Sequence, residues 1–153
     1  MRRLLDPLYR LQRLVWRVVR PRTRGVKVML FDEAGALLLV RNTYGRTDLF
    51  VLPGGGVRPF EKPETAAARE VKEELGCGVE GLAFVSTHAS AIEGKRDTVF
   101  LYRARPVGPV AADGFEVAEA RFFALADLPA ATSPATLRRI EEHEGRRAPD
   151  GAW

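Results

Sequence analysis

The apolar positions change their period several times along the chain, and each change marks an element. Leu4, Leu8, Leu11, Val15 and Val18 recur at intervals of four and three, which predicts an amphipathic helix with Arg10, Arg13, Arg17 and Arg20 on its other sides. Pro21 and Gly25 end it. Val26–Phe31 and Ala36–Arg41 read as strands around a turn at Asp32 to Gly35. The polar stretch Asn42 to Asp48 predicts a loop, and the short apolar stretch Phe50–Leu52 stops at Pro53-Gly54-Gly55-Gly56, which predicts irregular backbone. From Pro63 to Leu75 the period becomes helical. Proline suits the first turn, Ala66, Ala67, Ala68, Val71 and Leu75 form an apolar side, and Gly76 fits the position just past the end. Val79–Ser90 and Thr98–Arg105 follow as strands around an exposed turn at 93–97, then Arg121–Ala124 as a last strand and Pro134–His143 as a terminal helix. His88 falls in an apolar strand and reads as an inward residue with polar partners. Strands and helices mix without a repeating βαβ rhythm, which predicts a single mixed α/β domain.

Composition adds a boundary and a compartment. The 153 residues are 46% hydrophobic, enough for one core. The net charge of +4 is unevenly placed: residues 1–24 hold eight arginines against Asp6 alone, leaving 16 basic against 19 acidic residues elsewhere. The basicity therefore belongs to an arm, residues 1–24, and the domain is expected at 25–153. Cys77 stands alone, so neither a disulfide nor a zinc pattern arises, and a reducing cytoplasm is the expected setting. Arginines interrupt any signal-like stretch near the start, and no apolar run reaches transmembrane length.

Chemistry concentrates on the predicted helix 63–75. Glu70, Glu73 and Glu74 stand at i, i+3 and i+4 and project from one face. Each like-charge pair costs roughly 0.2–0.5 kcal/mol in an exposed helix, and the negative end of the helix dipole adds to it. A hard divalent cation would offset the repulsion, and magnesium is typically held by carboxylates together with substrate phosphates. An acidic stripe alone is usually just a solvated face, and a glycine run alone is equally ambiguous.

Their spacing joins them. Gly55, Glu61, Arg69-Glu70-Val71, Glu73-Glu74 and Gly76 reproduce the Nudix box, and over residues 25–143 the chain resembles the MutT-like Nudix hydrolases. Cys77 stands where that box has a larger aliphatic residue. The resemblance implies an α/β/α sandwich around a mixed sheet, with a loop–helix–loop that binds Mg2+ or Mn2+. It implies Glu70, Glu73 and Glu74 as metal ligands, Glu61 at the edge of the metal shell, and a backbone carbonyl from Gly54 or Gly55. Arg69 would orient a glutamate, and Gly76 would be structural. Glu70, Glu73 and Glu116 are the candidate catalytic residues. Glu116, just before the last strand, occupies a place similar to that of an additional metal-site glutamate in relatives, with Glu119 as rival and an ordinary loop acid as the alternative for either.

The implied reaction is cleavage of a phosphoanhydride in a nucleoside diphosphate linked to another moiety, by metal-assisted attack of water. An RNA 5′-end pyrophosphohydrolase and a non-catalytic Nudix-fold binding module stand as alternatives, the second opposed by retention of every charged box position. Arg41, Arg96 and Arg103 are candidate phosphate contacts because guanidinium forks match phosphate oxygens, although a lone surface arginine is more often simply solvated. Tyr44 and Phe50 suit base stacking as well as loop and core. For the arm, packing on the domain or on a twin subunit in a homodimer, contact with RNA, and contact with an anionic membrane all stay open. A basic nucleic-acid-binding protein of unrelated class is opposed by the acidic body and by the lack of aromatics interleaved on a basic face. The box does not discriminate among nucleoside triphosphates, ADP-ribose, other nucleotide sugars, dinucleoside polyphosphates and capped RNA.

Overall fold

The computed structural model describes residues 22–91 and 96–153; the predicted amphipathic helix lies outside them. The elements are β1 (Arg22–Leu30), β2 (Leu37–Asn42), α1 (Pro63–Leu75), β3 (Gly78–Ser90), β4 (Arg96–Val107), β5 (Val117–Phe123) and α2 (Pro134–His143). Both helices start and stop at the residues the pattern predicts. β1 begins at Arg22, so Arg22 and Arg24 belong to the sheet rather than to the arm.

β4 lies between β1, to which it is parallel, and β3, to which it is antiparallel, making a mixed three-stranded sheet; β2 and β5 form an antiparallel pair. The segment 50–57 stitches the two together. Val51 exchanges both backbone hydrogen bonds with Val40 of β2, and further along Val26 and Val28 of β1 donate to the carbonyls of Gly55 (2.9 Å) and Pro53 (3.0 Å). The glycine run is irregular backbone, as predicted, flanked by isolated bridges to β2 and β1, because Pro53 cannot donate and the glycines permit a close approach.

Alternation along the strands supplies two cores. Val26, Val28 and Leu30 of β1, with Leu38 and Val40 of β2, pack on Ala66, Ala67, Val71 and Leu75 of α1; Met29, Leu37 and Leu39 face the other way and pack with Ile140 of α2. Each sheet face thus carries one helix. Cys77 is buried in the first cluster and fills it. α1 opens on Pro63 without a side-chain cap and closes on Gly76, whose φ of 70° allows its N–H to reach the Lys72 carbonyl. Among the described residues no helix is long and apolar enough to cross a membrane.

Beneath α2 lies a buried polar group. Arg139 is 1% exposed, and its Nη1 donates to His88 Nδ1 and to the Ala152 carbonyl, both at 2.7 Å, while its Nη2 donates to Glu142 at 2.7 Å. An arginine is only a donor, so Nδ1 must accept and the imidazole is the neutral Nε2–H tautomer, donating to Ser86 Oγ at 2.7 Å. Burial, and secondarily the Arg139 charge, hold the His88 pKa below its ordinary value of 6.5, against the opposing pull of Glu142, the Ala152 hydrogen bond and Asp150.

Two outcomes follow from this packing. A Cβ on Gly54, whose φ is 141°, would sit 2.1 Å from the Val26 carbonyl oxygen, so Gly54→Ala should cost about 3 kcal/mol or more, read as a drop in denaturant midpoint. Because the folded pKa of His88 is depressed, its contribution is full above pH 6.5 and is lost as pH falls through that value toward the folded one. Glu74, raised in the fold, acts in the opposite sense over the same range. The readout is therefore comparative: thermal unfolding across about pH 5–8 should show His88→Gln losing less stability on the acid side than the unsubstituted protein, and equal slopes would contradict it.

Candidate functional site

Arg69, on the exposed side of α1, gathers the acids that face the glycine loop. Its Nε and Nη2 bind the two oxygens of Glu61 at 2.8 and 2.9 Å, Nη2 also donates to the Gly56 carbonyl at 2.8 Å, and Nη1 reaches Glu70 at 2.8 Å and Glu73 at 3.1 Å. Glu61 closes a tight turn, accepting the Arg58 N–H at 2.8 Å while its own N–H donates to the Arg58 carbonyl at 3.1 Å. The Arg69 hydrogen bonds, and then the Arg58 N–H, pull the Glu61 pKa down to about 2. The same pairing, first with Glu61, raises that of Arg69 further above its already high value. Arg69 is therefore a permanent cation, and its fork is occupied by protein oxygens.

Glu70 and Glu74 are buried, at 7% and 5% exposure. The Glu70 carboxylate lies flat against Gly55, where a Cβ would meet it at 2.6 Å. Glu74 accepts the Gly54 N–H at 3.0 Å. Burial pushes the Glu74 pKa up to about 7; Lys27 and the Gly54 N–H oppose the shift, and Glu70 and Glu116 reinforce it. Glu73 is more open and lies 3.2 Å from Arg58.

Glu116 is carried to these acids by a loop docked on the end of α1. Ala111 donates to the Leu75 carbonyl (3.1 Å) and Asp113 to the Glu74 carbonyl (3.0 Å). The Asp113 carboxylate then takes the N–H groups of Phe115, Glu116 and Val117 at 3.0, 3.0 and 2.8 Å, which folds the loop back. Burial raises the Glu116 pKa, with Glu70, Asp113 and Glu73 adding to it. Glu119, the rival, is instead paired with Arg41 across β2 and β5.

Two residues join the site that spacing did not select. Tyr44 follows Thr43, whose N–H donates to the Glu116 carbonyl at 2.9 Å. Burial, followed by Glu116, Glu74, Glu70 and Asp113, pushes the Tyr44 phenol up to about 12, so the hydroxyl remains a donor beside the acids. Lys27, from β1, donates to the Leu52 carbonyl at 2.9 Å and is the cation that most lowers the Glu74 pKa. Neither lies near the box in sequence, so only the pairing of β1 and the 42–48 loop with the rest could reveal them.

The candidate phosphate-contact arginines lie on β2 and β4. Arg41 is held by Glu119 and stacks over Phe50, 5.5 Å from the ring centre, and Phe50 itself packs in the core under α2. Arg103 stands exposed on the β4 face of Leu101, which packs under α2, and Arg96 opens β4 opposite Arg22. Among the described residues neither Arg96 nor Arg103 binds a box carboxylate. The Gly55 carbonyl accepts the Val26 N–H, and Gly54 offers its N–H to Glu74. Among the described residues no three acidic, histidine or cysteine side chains already converge as a coordination sphere, since Arg69 spreads Glu61, Glu70 and Glu73 around its own fork.

The family model for the NUDIX domain matches residues 21–143. An "NAD-capped RNA hydrolase NudC" of Citrobacter koseri is 30% identical over 112 residues, 73% of this chain and 43% of that protein, so the chain spans less than half of its relative's length. A MutT NUDIX hydrolase from Burkholderia pseudomallei superposes with a TM-score of 0.71 at 26% identity, covering 78% of this chain and 96% of that one. A MutT protein from Methanosarcina mazei does so at 0.68 and 25%, covering 83% and 95%. With the box helix, its glycine loop and the mixed sheet arranged as described, the chain belongs to the Nudix hydrolase family.

Proposed function

We propose that the protein hydrolyses a phosphoanhydride bond in a nucleoside diphosphate linked to another moiety, using Mg2+ or Mn2+ held by Glu70, Glu73 and Glu74. The observation that carries this reading is the crowding of carboxylates beside the glycine loop: two buried ones, Glu70 and Glu74, and Glu116 alongside them, with charges that oppose one another's ionisation. Buried like charges are costly unless balanced, and the nearest guanidinium spends its donors on Glu61 and Gly56 as well as on Glu70 and Glu73. Hard oxygen donors with an uncompensated negative charge fit a divalent cation that also binds phosphate.

Such a cation, when bound, supplies polarisation of the phosphoryl oxygens and a more acidic water. The chain's own groups do the rest. Gly54 orients Glu74 through its N–H, and Arg69 fixes Glu61, Glu70 and Glu73 relative to the loop. Glu116 has no cation partner among the described residues, which supports it as the carboxylate that accepts the proton of the attacking water, whereas Glu70 pairs with Arg69. Tyr44 remains protonated and donates toward developing negative charge. The relative named an NAD-capped RNA hydrolase supports a substrate in which a nucleoside diphosphate carries a second group.

Glu74→Gln keeps an oxygen for the Gly54 N–H but removes a buried charge. It should raise the melting temperature in EDTA while lowering metal-dependent turnover by orders of magnitude; unchanged turnover with an unchanged metal requirement would remove Glu74 from the site. The reaction itself is tested by nucleotide or phosphate release from NAD, ADP-ribose, nucleotide sugars, nucleoside triphosphates, dinucleoside polyphosphates and 5′-capped or triphosphorylated RNA, with and without Mg2+ or Mn2+. Release that requires metal and is lost in Glu70→Gln is the expected result, and silence across the panel would favour a binding module.

A further inference from the structure

We infer that the face formed by Arg22, Arg24 and Arg96, with Phe60 at its border, is a binding track for single-stranded RNA that leads its 5′ end to the carboxylate site. The inference rests on reading that site as a phosphoanhydride hydrolase centre.

Strand alternation creates the face. Arg22 and Arg24 share the parity of Val26, Val28 and Leu30, the β1 residues that pack under α1, and Arg96 and Thr98 share that of Tyr102 and Ala104 of β4 in the same layer. The parallel register sets Arg22 opposite Arg96 and Arg24 opposite Thr98 without a shift. All three arginines are exposed, and among the described residues none has a carboxylate partner. The one acid in this stretch, Asp97, is on the other face, where it accepts the Thr23 hydroxyl at 2.8 Å. Like charges opposite one another on neighbouring strands destabilise a sheet. Here nothing within the described structure offsets them, and a polyanion would.

The track adjoins the box loop. Val57 donates to the Arg24 carbonyl at 2.9 Å, and Gly25 bridges to Gly56. The next residues form the Arg58–Glu61 turn, with Arg58 beside Glu73. At its tip Phe60 is fully exposed, at 105%, and has a φ of 63°. An aromatic residue in the left-handed region carries a backbone cost of roughly 1–2 kcal/mol, and this ring recovers nothing by packing. The Glu61–Arg69 clamp holds the turn nonetheless. A rigidly displayed ring next to guanidiniums that lack a carboxylate partner among the described residues is the combination by which single-stranded nucleic acid is bound, with cations along the backbone and an aromatic face for a base. A membrane surface would call for several apolar side chains to insert together, and the turn presents one.

The test uses the full chain and fluorescence anisotropy with a 3′-labelled, 5′-monophosphorylated oligo(A) RNA of about ten nucleotides. The combined Arg22→Ser, Arg24→Ser, Arg96→Ser variant should weaken binding and reduce the slope of log K against log salt by about 2. Its metal-dependent hydrolysis of NAD or ADP-ribose should be unchanged. Phe60→Gly, which suits the positive φ and should not lower the melting temperature, should weaken RNA binding by about tenfold. RNA affinity equal to that of the unsubstituted protein in both variants overturns the inference, as does failure of the unsubstituted protein to bind. Loss of binding to phosphatidylserine vesicles with RNA affinity intact would reassign the face to a membrane and overturns it equally. If no substrate is hydrolysed while the variants still lose RNA, the hydrolase reading fails and the track stands.

Discussion

The guanidinium of Arg69 is the interaction on which the arrangement of acids depends. Its planar fork reaches Glu61 in the loop, Glu70 and Glu73 on the helix, and the carbonyl of Gly56 at once. A point charge such as lysine could neutralise these groups but could not hold four oxygens at fixed relative positions. Without that fork the carboxylates would repel one another and the helix face would separate from the loop. With it, one helix presents several acids toward a loop at little conformational freedom, while Glu74 and Glu116 remain outside its reach, Glu74 under the charge of Lys27 instead.

A second constraint couples this clamp to the core. The 50–57 segment is simultaneously a partner of β2, a partner of β1 and the floor of the acid cluster. Gly54 is pressed against the β1 backbone while its N–H points at Glu74, and Gly55 leaves space only for the Glu70 carboxylate. The site is therefore anchored to the junction of the two sheets, so a shift in strand pairing moves the carboxylates as well. That is the physical sense in which rigid strands, rather than loop residues, position its most buried acids.

The parts legible in the sequence are those set by local periodicity. Helix 63–75 and helix 134–143 have clean starts and stops, because proline at the first turn and glycine or a capping serine at the boundaries are local signals. The three box glutamates share a face for the same reason. Strand ends were less visible: β1 extends back to Arg22 and β5 to Val117, since their ends are set by register with β4 and β2 rather than by composition. Glu116 lies just before the last strand and comes electrostatically close to Glu70 and Glu74, while Tyr44 and Lys27 come from strands and loops that only the tertiary pairing brings near. Arg41 has a partner that its local sequence does not disclose. Its chemistry suits phosphate, but the antiparallel register of β2 and β5 sets it against Glu119.

The overall charge conceals a division that bears on how the site is used. Carboxylates dominate one side of the box loop, and arginines of β1 and β4 that have no carboxylate partner among the described residues lie on the other, joined through residues 56–61. At physiological ionic strength the field of an exposed charge fades over about 8 Å, so each region acts chiefly on an anion close to it. The arginine face attracts it, and the metal-free acid cluster repels it. A divalent cation held by Glu70, Glu73 and Glu74, as proposed above, would reverse the second sign, because it would offset the carboxylate charge and attract phosphate. On the two readings proposed above, capture and reaction would fall to different residues, the first set sensitive to salt and the second to metal, with the Arg58–Glu61 turn as the short piece of chain between them.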